Sequence, residues 1–229
     1  SILEMRADWE AAYLRNVVGG NLDLDVRIRD TLLMGGARID LPDQVAEIAL
    51  DAGWVKRFNQ GFAFEGRVTP GIYSDMKGFD LGFFVPFSAA GIKTFSREIS
   101  GIAGLQIRPG FNQFVMPIIG LEWEILKSLR LEAGLPKSRI LWYINREWST
   151  YAGFEWFNMS YDLHDDRERI TLEDYRIQLG VAFRQSDRLE FYGEMGRAMN
   201  RTVSFKEDDR PEIDIASAPF IRLGVGAPF

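Results

Sequence analysis

The last twelve residues of the chain, "APFIRLGVGAPF" at positions 218–229, alternate between two kinds of residue. The apolar series comprises Ile221, Leu223, Val225, Ala227 and Phe229, and Arg222, Gly224 and Gly226 lie between its members. A period of two residues is that of a β-strand, whose successive side chains point to opposite faces. The sequence therefore predicts a strand whose final residue is aromatic.

The same period recurs along most of the chain. The runs "NLDLDVRIRD" at 21–30, "IGLEWEIL" at 119–126 and "YRIQLGVAFR" at 175–184 each place apolar residues on one face and polar or charged residues on the other. Short turn signals, such as "KRFNQG" at 56–61, alternate with longer polar stretches, such as "DLHDDRERIT" at 162–171. Tight turns on one rim and larger loops on the other are typical of an up-and-down barrel.

These patterns predict an all-β fold, an antiparallel up-and-down transmembrane β-barrel of about twelve strands formed by residues 21–229. An even number places both chain ends on the short-turn rim. Pro86 and Pro117 fall inside predicted strands, where proline removes a ladder hydrogen bond. The predicted strands lie near 21–34, 45–57, 60–74, 78–87, 97–108, 113–126, 128–135, 138–145, 148–162, 172–186, 188–205 and 213–229.

Residues 1–20 leave two alternatives open. The segment "ILEMRADWEAAYLR" at 2–15 alternates like a strand, but its alanine, glutamate, leucine, methionine and arginine residues favour a helix. A strand here would break the even count. An amphipathic helix could plug the lumen or lie on the membrane surface.

Composition excludes several classes of protein. Apolar residues make up 46% of the 229 residues and the mean hydropathy is -0.13, without an apolar run long enough for a transmembrane helix. The chain has no cysteine, which excludes disulfides and cysteine-based metal or iron–sulfur sites. Its net charge of -6 argues against nucleic acid as a partner.

The choice between a soluble and a membrane barrel depends on which face meets water. Aromatic residues cluster near predicted strand ends, as in the girdles of membrane barrels, and glycines recur on the charged faces, where they leave room for bulky lumenal side chains. The clusters are Trp54 with Phe58, Trp142 with Tyr143, Trp148, and Trp156 with Phe157 and Tyr161. These features favour the bacterial outer membrane. The alternative is a soluble β-barrel that binds an apolar ligand.

Several longer stretches carry a resemblance to a known family. They include "VTPGIYSD" at 68–75, "GLEWEILKSLRLEAGLPKSRI" at 120–140 and "EDYR" at 173–176, together with the terminal alternating strand. In these stretches the chain resembles a family of bacterial outer-membrane β-barrel proteins of unknown function. The resemblance covers most of residues 45–229 and implies a barrel. It implies no catalytic residue, because the family has no assigned activity.

The sequence contains no recognisable active site, and we predict neither an enzyme nor a cofactor. The single histidine, His164, lies in an acidic loop with Asp165 and Asp166, whose spacing matches no metal-binding loop. The candidate functional residues are the charges expected to line the lumen, in which acids outnumber bases and favour cations. They are Asp51, Glu65, Arg67, Glu122, Glu124, Arg130, Glu132, Glu155, Arg176, Arg184, Glu190, Glu194 and Arg222.

Two functions remain open for a membrane barrel: a narrow pore with a mixed-charge lumen, or a structural and anchoring component whose lumenal charges pair with one another. The expected partners are outer-membrane lipid, an envelope protein, and the barrel-assembly machinery. The last of these would read an assembly signal formed by Ile221, Leu223, Val225 and Phe229.

Overall fold

The computed structural model describes residues 1–33, 42–75, 77, 82–163, 169–186, 189–205 and 212–226, with backbone alone at positions 10 and 11. The described residues form β-strands and a single 3-10 turn at Asn59–Gly61. The strands are β1 (Ile2–Val17), β2 (Gly20–Leu33), β3 (Gln44–Arg57), β4 (Phe62–Val68), β5 (Gly71–Ser74), β6 (Phe83–Phe84), β7 (Phe87–Thr94), β8 (Ile99–Ile107), β9 (Val115–Leu126), β10 (Leu129–Leu135), β11 (Lys137–Tyr143), β12 (Trp148–Asp162), β13 (Arg169–Ser186), β14 (Leu189–Phe205), β15 (Ile213–Ile215) and β16 (Ala218–Gly226). Within these residues, none of the structure is a helix of the length and hydropathy needed to cross a membrane.

The strands close into a barrel whose wall has thirteen members. The ring runs through β1, β2, β3, β4, β7, β8, β9, β10, β11, β12, β13, β14 and β16, and returns to β1. The predicted all-β barrel is therefore confirmed, with thirteen wall strands where about twelve were predicted, but the prediction of purely antiparallel pairing is wrong. The N-terminal segment supplies the additional strand, because β1 pairs antiparallel with β2 and parallel with β16.

The odd number of strands changes where the chain enters the wall. Successive strands reverse direction, so the first and last of thirteen run the same way and must pair in parallel. Ile2 lies beside Leu33 and Phe220, at the end of the barrel that carries the longer connections. The prediction that both chain ends share the short-turn rim is therefore wrong.

Prolines interrupt two strands of the wall. β4 and β5 both pair antiparallel with β3 and continue one another across Thr69 and Pro70, and β6 and β7 likewise continue one another across Pro86. The strand predicted at 78–87 is thus displaced, since β7 extends to Thr94. Pro117, by contrast, is accommodated within β9.

The barrel is narrower at the long-connection end. There β5 leaves β6 and pairs with β12 through a bridge between Ser74 and Asp162, and the amide of Asp75 donates to the Asp162 carbonyl oxygen at 3.3 Å. This bridge completes a second circuit of eight neighbouring strands: β1, β2, β3, β5, β12, β13, β14 and β16. Toward the short-turn end, β11 takes the place of β5 as the neighbour of β12, and the hairpin of β10 and β11 turns at Pro136 where this change occurs. We call this change of neighbour the step in the wall.

An apolar core fills the eight-stranded end. Eight strands enclose a space that side chains alone can fill, which accounts for the core at this end. The cluster contains five aromatic rings, of which Tyr73, Phe84 and Phe111 pack mutually with centroids 5.3–5.6 Å apart. Its buried members are Val45, Tyr73, Phe84, Phe111, Phe157, Tyr161, Ile170, Leu172 and Val203.

Candidate functional site

The outer face of the wall is apolar and exposed. Trp9 is 73% exposed, and Leu179, Met195 and Ile221, which are direct neighbours on β13, β14 and β16, are all more than half exposed. The rings of Phe58, Trp142 and Trp148 are also exposed. The grouping of Phe157 and Tyr161 with such a girdle is wrong, because both rings are buried in the core of the narrow end.

The inner face carries charged residues that pair across the lumen. Glu4 on β1 is completely buried and meets three guanidinium groups: Arg29 at 3.3 Å, Arg176 at 2.8 Å and Arg222 at 2.9 Å. Arg176 belongs to β13, which is separated from β1 by two other strands of the ring. Its side chain therefore reaches Glu4 through the interior rather than along the wall. It also donates to Asp174 at 2.7 Å.

Arg222 connects this network to carboxylates on two further strands of the wall. Its guanidinium lies 2.6 Å from Glu194 on β14 and 3.1 Å from Glu155 on β12. Tyr151 donates its hydroxyl to Glu194 at 2.7 Å, and Gln178 lies at 3.4 Å from the same carboxylate. One buried arginine thus connects carboxylates from three different strands.

A second group of ion pairs lies along β2, β3 and β4. Asp51 is buried and accepts hydrogen bonds from Arg67 and, at 2.9 Å, from Arg27. Arg67 also lies 3.3 Å from Glu65, and Arg27 lies 3.6 Å from Glu47. The predicted residues Asp51, Glu65 and Arg67 are therefore brought together by neighbouring strands.

The predicted charges near the short-turn end are more open to solvent. Arg130 contacts Glu122 at 3.0 Å and Glu132 at 3.1 Å, and the Glu122 carboxylate is half exposed. Glu124 is exposed as well. Glu132 also pairs with Arg139 on β11.

Two further sets of predicted residues can be placed. Arg184 lies 3.8 Å from the buried Glu190. Ile221 and Leu223 point outward on β16, with Val225 beyond them, whereas Phe229 lies outside the described residues. His164 and its two acidic neighbours also lie outside them. The described residues contain no cluster of histidine, aspartate and glutamate that could hold a metal ion.

A cavity of about 150 Å³ lies at the step in the wall. Pro136, in the turn between β10 and β11, lines the cavity, and residues 155–159 of β12 line another side of it. The connection 108–114 closes another side: Arg108 is 3% exposed, donates to the carbonyl oxygen of Asn158 and lies 4.2 Å from the centre of the Phe111 ring. Burial lowers the pKa of Arg108 to about 10, so its guanidinium stays charged at neutral pH.

Sequence reasoning missed several of these residues. Glu4 lies in the segment for which strand and helix were both left open, and it was not a candidate. Glu47, which is 1% exposed, was not a candidate either, although it alternates with apolar neighbours in "VAEIALD" at 45–51. That alternation was the signal available for Glu47. Arg108 follows the end of β8, and no local pattern distinguishes it from a loop arginine.

Comparison with known proteins gives one match. No curated protein and no solved structure matches the chain. A family model described as a domain of unknown function (DUF6268) matches residues 37–213, a range that leaves out β1, β2 and β16. Because this match spans well over half of the sequence, the chain belongs to the DUF6268 family.

Proposed function

We propose that the chain is an integral β-barrel of the bacterial outer membrane that serves as a closed structural or anchoring component. The polarity of the wall carries the proposal, because apolar side chains are exposed outside while charged side chains are buried inside. A barrel in water is stabilised by the opposite arrangement. In a bilayer, the same outer face meets hydrocarbon, and the charges face the lumen.

The exposed apolar surface extends without interruption over adjacent strands. Leu179 pairs with Met195, which pairs with Ile221, so that three exposed side chains lie side by side across β13, β14 and β16. Large exposed apolar patches are rare on soluble monomers and mark contact with a membrane or a partner. Outer-membrane lipid is the partner that this surface fits best.

The paired lumenal charges favour a closed barrel over a pore. The contacts of Glu4 with Arg176 and of Arg222 with Glu155 cross the lumen between strands that are not neighbours. At the long-connection end, the apolar cluster fills the eight-stranded part of the barrel. A soluble barrel for an apolar ligand is less well supported, because the apolar end of the interior is filled by side chains and the remainder is crossed by ion pairs.

Reconstitution in lipid vesicles tests the membrane location. The full chain is refolded in detergent and transferred to vesicles that contain lipids brominated along the acyl chains. We expect strong quenching of tryptophan fluorescence, since Trp9, Trp142 and Trp148 are exposed on the wall. A chain that is monodisperse without detergent and is not quenched would support the soluble alternative instead.

Planar-bilayer recording then separates the closed barrel from the pore. We expect no conductance steps from protein whose insertion the quenching has established. Discrete steps would favour the pore, and a cation preference that falls in the double variant Glu122→Gln, Glu124→Gln would assign selectivity to these carboxylates.

The exposed side of β16 fits a role in assembly. Ile221 and Leu223 form an apolar outward face on β16, the strand that closes the ring. We propose that the barrel-assembly machinery reads this strand. Replacing both residues with serine should then slow insertion mediated by that machinery more than spontaneous insertion into detergent.

A further inference from the structure

The cavity at the step in the wall contains a buried cation without a counter-ion. Among the described residues, no carboxylate lies within ion-pairing distance of the guanidinium of Arg108. Its contacts are the Asn158 carbonyl oxygen, the Phe111 ring and, at 3.9 Å, the sulfur of Met116. An isolated buried charge costs several kcal/mol unless a partner neutralises it.

Two other buried polar atoms of residues that line this cavity make no hydrogen bond among the described residues. They are Oε2 of Glu47 and Oδ1 of Asn158, and both side chains are more than nine-tenths buried. Glu47 Oε2 lies 3.5 Å from Nη1 of Arg29, a distance too long for a well-formed hydrogen bond. Buried polar groups in folded proteins nearly always have partners, so the cavity offers a cation and two acceptors to an occupant.

The dimensions of the cavity limit that occupant. A volume of about 150 Å³ is that of an engineered cavity which accepts benzene, so it accommodates about six non-hydrogen atoms. A carboxylate matches the guanidinium of Arg108, because two parallel N–H groups can donate to its two oxygens. A hydroxyl or amino group on the same molecule would donate to Asn158 or Glu47.

We propose that this cavity binds a small organic carboxylate that also carries a hydroxyl or amino donor. Arg108 holds the carboxylate, and Oε2 of Glu47 and Oδ1 of Asn158 accept hydrogen bonds from the donor. Tyr73 and Gln106 also line the cavity. The site does not rest on the proposed membrane location, because its residues surround the same cavity in any medium.

Titration calorimetry on the full chain refolded in detergent tests the site. Glycolate, lactate and glycine carry both groups, propionate lacks the donor, and ethanolamine lacks the carboxylate. We expect the first three to bind, propionate to bind more weakly, and ethanolamine not to bind. The proposal is overturned if none of the acids binds, or if chloride binds and the acids do not.

A matched pair of variants locates the binding. Met116→Glu places a carboxylate beside Arg108 and supplies the missing counter-ion, whereas Met116→Gln has the same shape without the charge. We expect Met116→Glu to weaken binding of glycolate roughly tenfold or more relative to Met116→Gln. Equal binding by both folded variants would place the ligand elsewhere. The comparison of probes on the wild-type chain decides the question if either variant fails to fold.

Discussion

Glu4 Oε1 accepts a hydrogen bond from Nε of Arg222 at 2.9 Å, although 218 positions separate the two residues in the sequence. The two residues are also direct partners in the parallel pairing of β1 with β16. The closing seam of the barrel is therefore held by backbone pairing and by a buried ion pair at the same position. The ion pair draws Arg29 and Arg176 to the same carboxylate.

Removal of the Glu4 charge should destabilise the barrel strongly. Glu4→Gln leaves three buried guanidinium groups with one carboxylate fewer, and breaking a buried pair in this way costs about 3–5 kcal/mol. Urea unfolding of the protein in vesicles measures the loss. The control is Glu122→Gln, whose half-exposed pair with Arg130 should contribute about 0–1 kcal/mol. Equal losses in the two variants would contradict the central role of Glu4.

Gly196 on β14 should not tolerate a side chain. A Cβ atom there would overlap the carbonyl oxygen of Ile177 and lie 2.8 Å from the ring of Phe220. We expect Gly196→Ala to lower the yield of refolded barrel, measured as the heat-modifiable band on a gel. Gly66→Ala is the matched control, because the nearest atom to its Cβ is a ring carbon of Phe64 at 3.7 Å. Equal yields would show that β14 and β13 lie farther apart than described.

The membrane proposal predicts that an arginine on the outer wall is costly at mid-height and tolerated near the rim. Leu179 lies in the middle of β13 and Leu126 at the turn end of β9, and both are about 60% exposed. Leu179→Arg should destabilise the protein in vesicles by about 2–4 kcal/mol and Leu126→Arg by about 0–1 kcal/mol. A soluble barrel would tolerate both substitutions equally, since both side chains would meet water.

A disulfide should form across the bridge that narrows the barrel. The chain contains no cysteine, so the double variant Ser74→Cys, Asp162→Cys carries only the engineered pair. Neighbouring residues on paired strands meet the spacing that a disulfide requires. We expect complete oxidation in the refolded protein by thiol titration. In the control, Ser74→Cys with Ser149→Cys, the second cysteine lies at the opposite end of β12 and should stay reduced. A free thiol pair at 74 and 162 would contradict the eight-stranded circuit.

Much of the barrel could be predicted from local pattern. The period of two in "YRIQLGVAFR" distinguishes the exposed Leu179 from the buried Gln178 without any knowledge of neighbours, because strand geometry sends successive side chains to opposite faces. The same rule identified Arg176 and Arg222 as members of the charged face. It could not identify their partners, because a pairing depends on which strands lie opposite one another across the lumen.

The sequence by itself determined that this chain is built from strands with one apolar and one charged face, since that information is local to each strand. Tertiary structure alone decided that residues 2–17 form the thirteenth strand, because their helix-favouring composition is outweighed by pairing with both β2 and β16. It also decided that Arg108 is buried at the step near Pro136, where no carboxylate of the described residues forms an ion pair with it. Such features depend on register between segments distant in sequence, which no local period records.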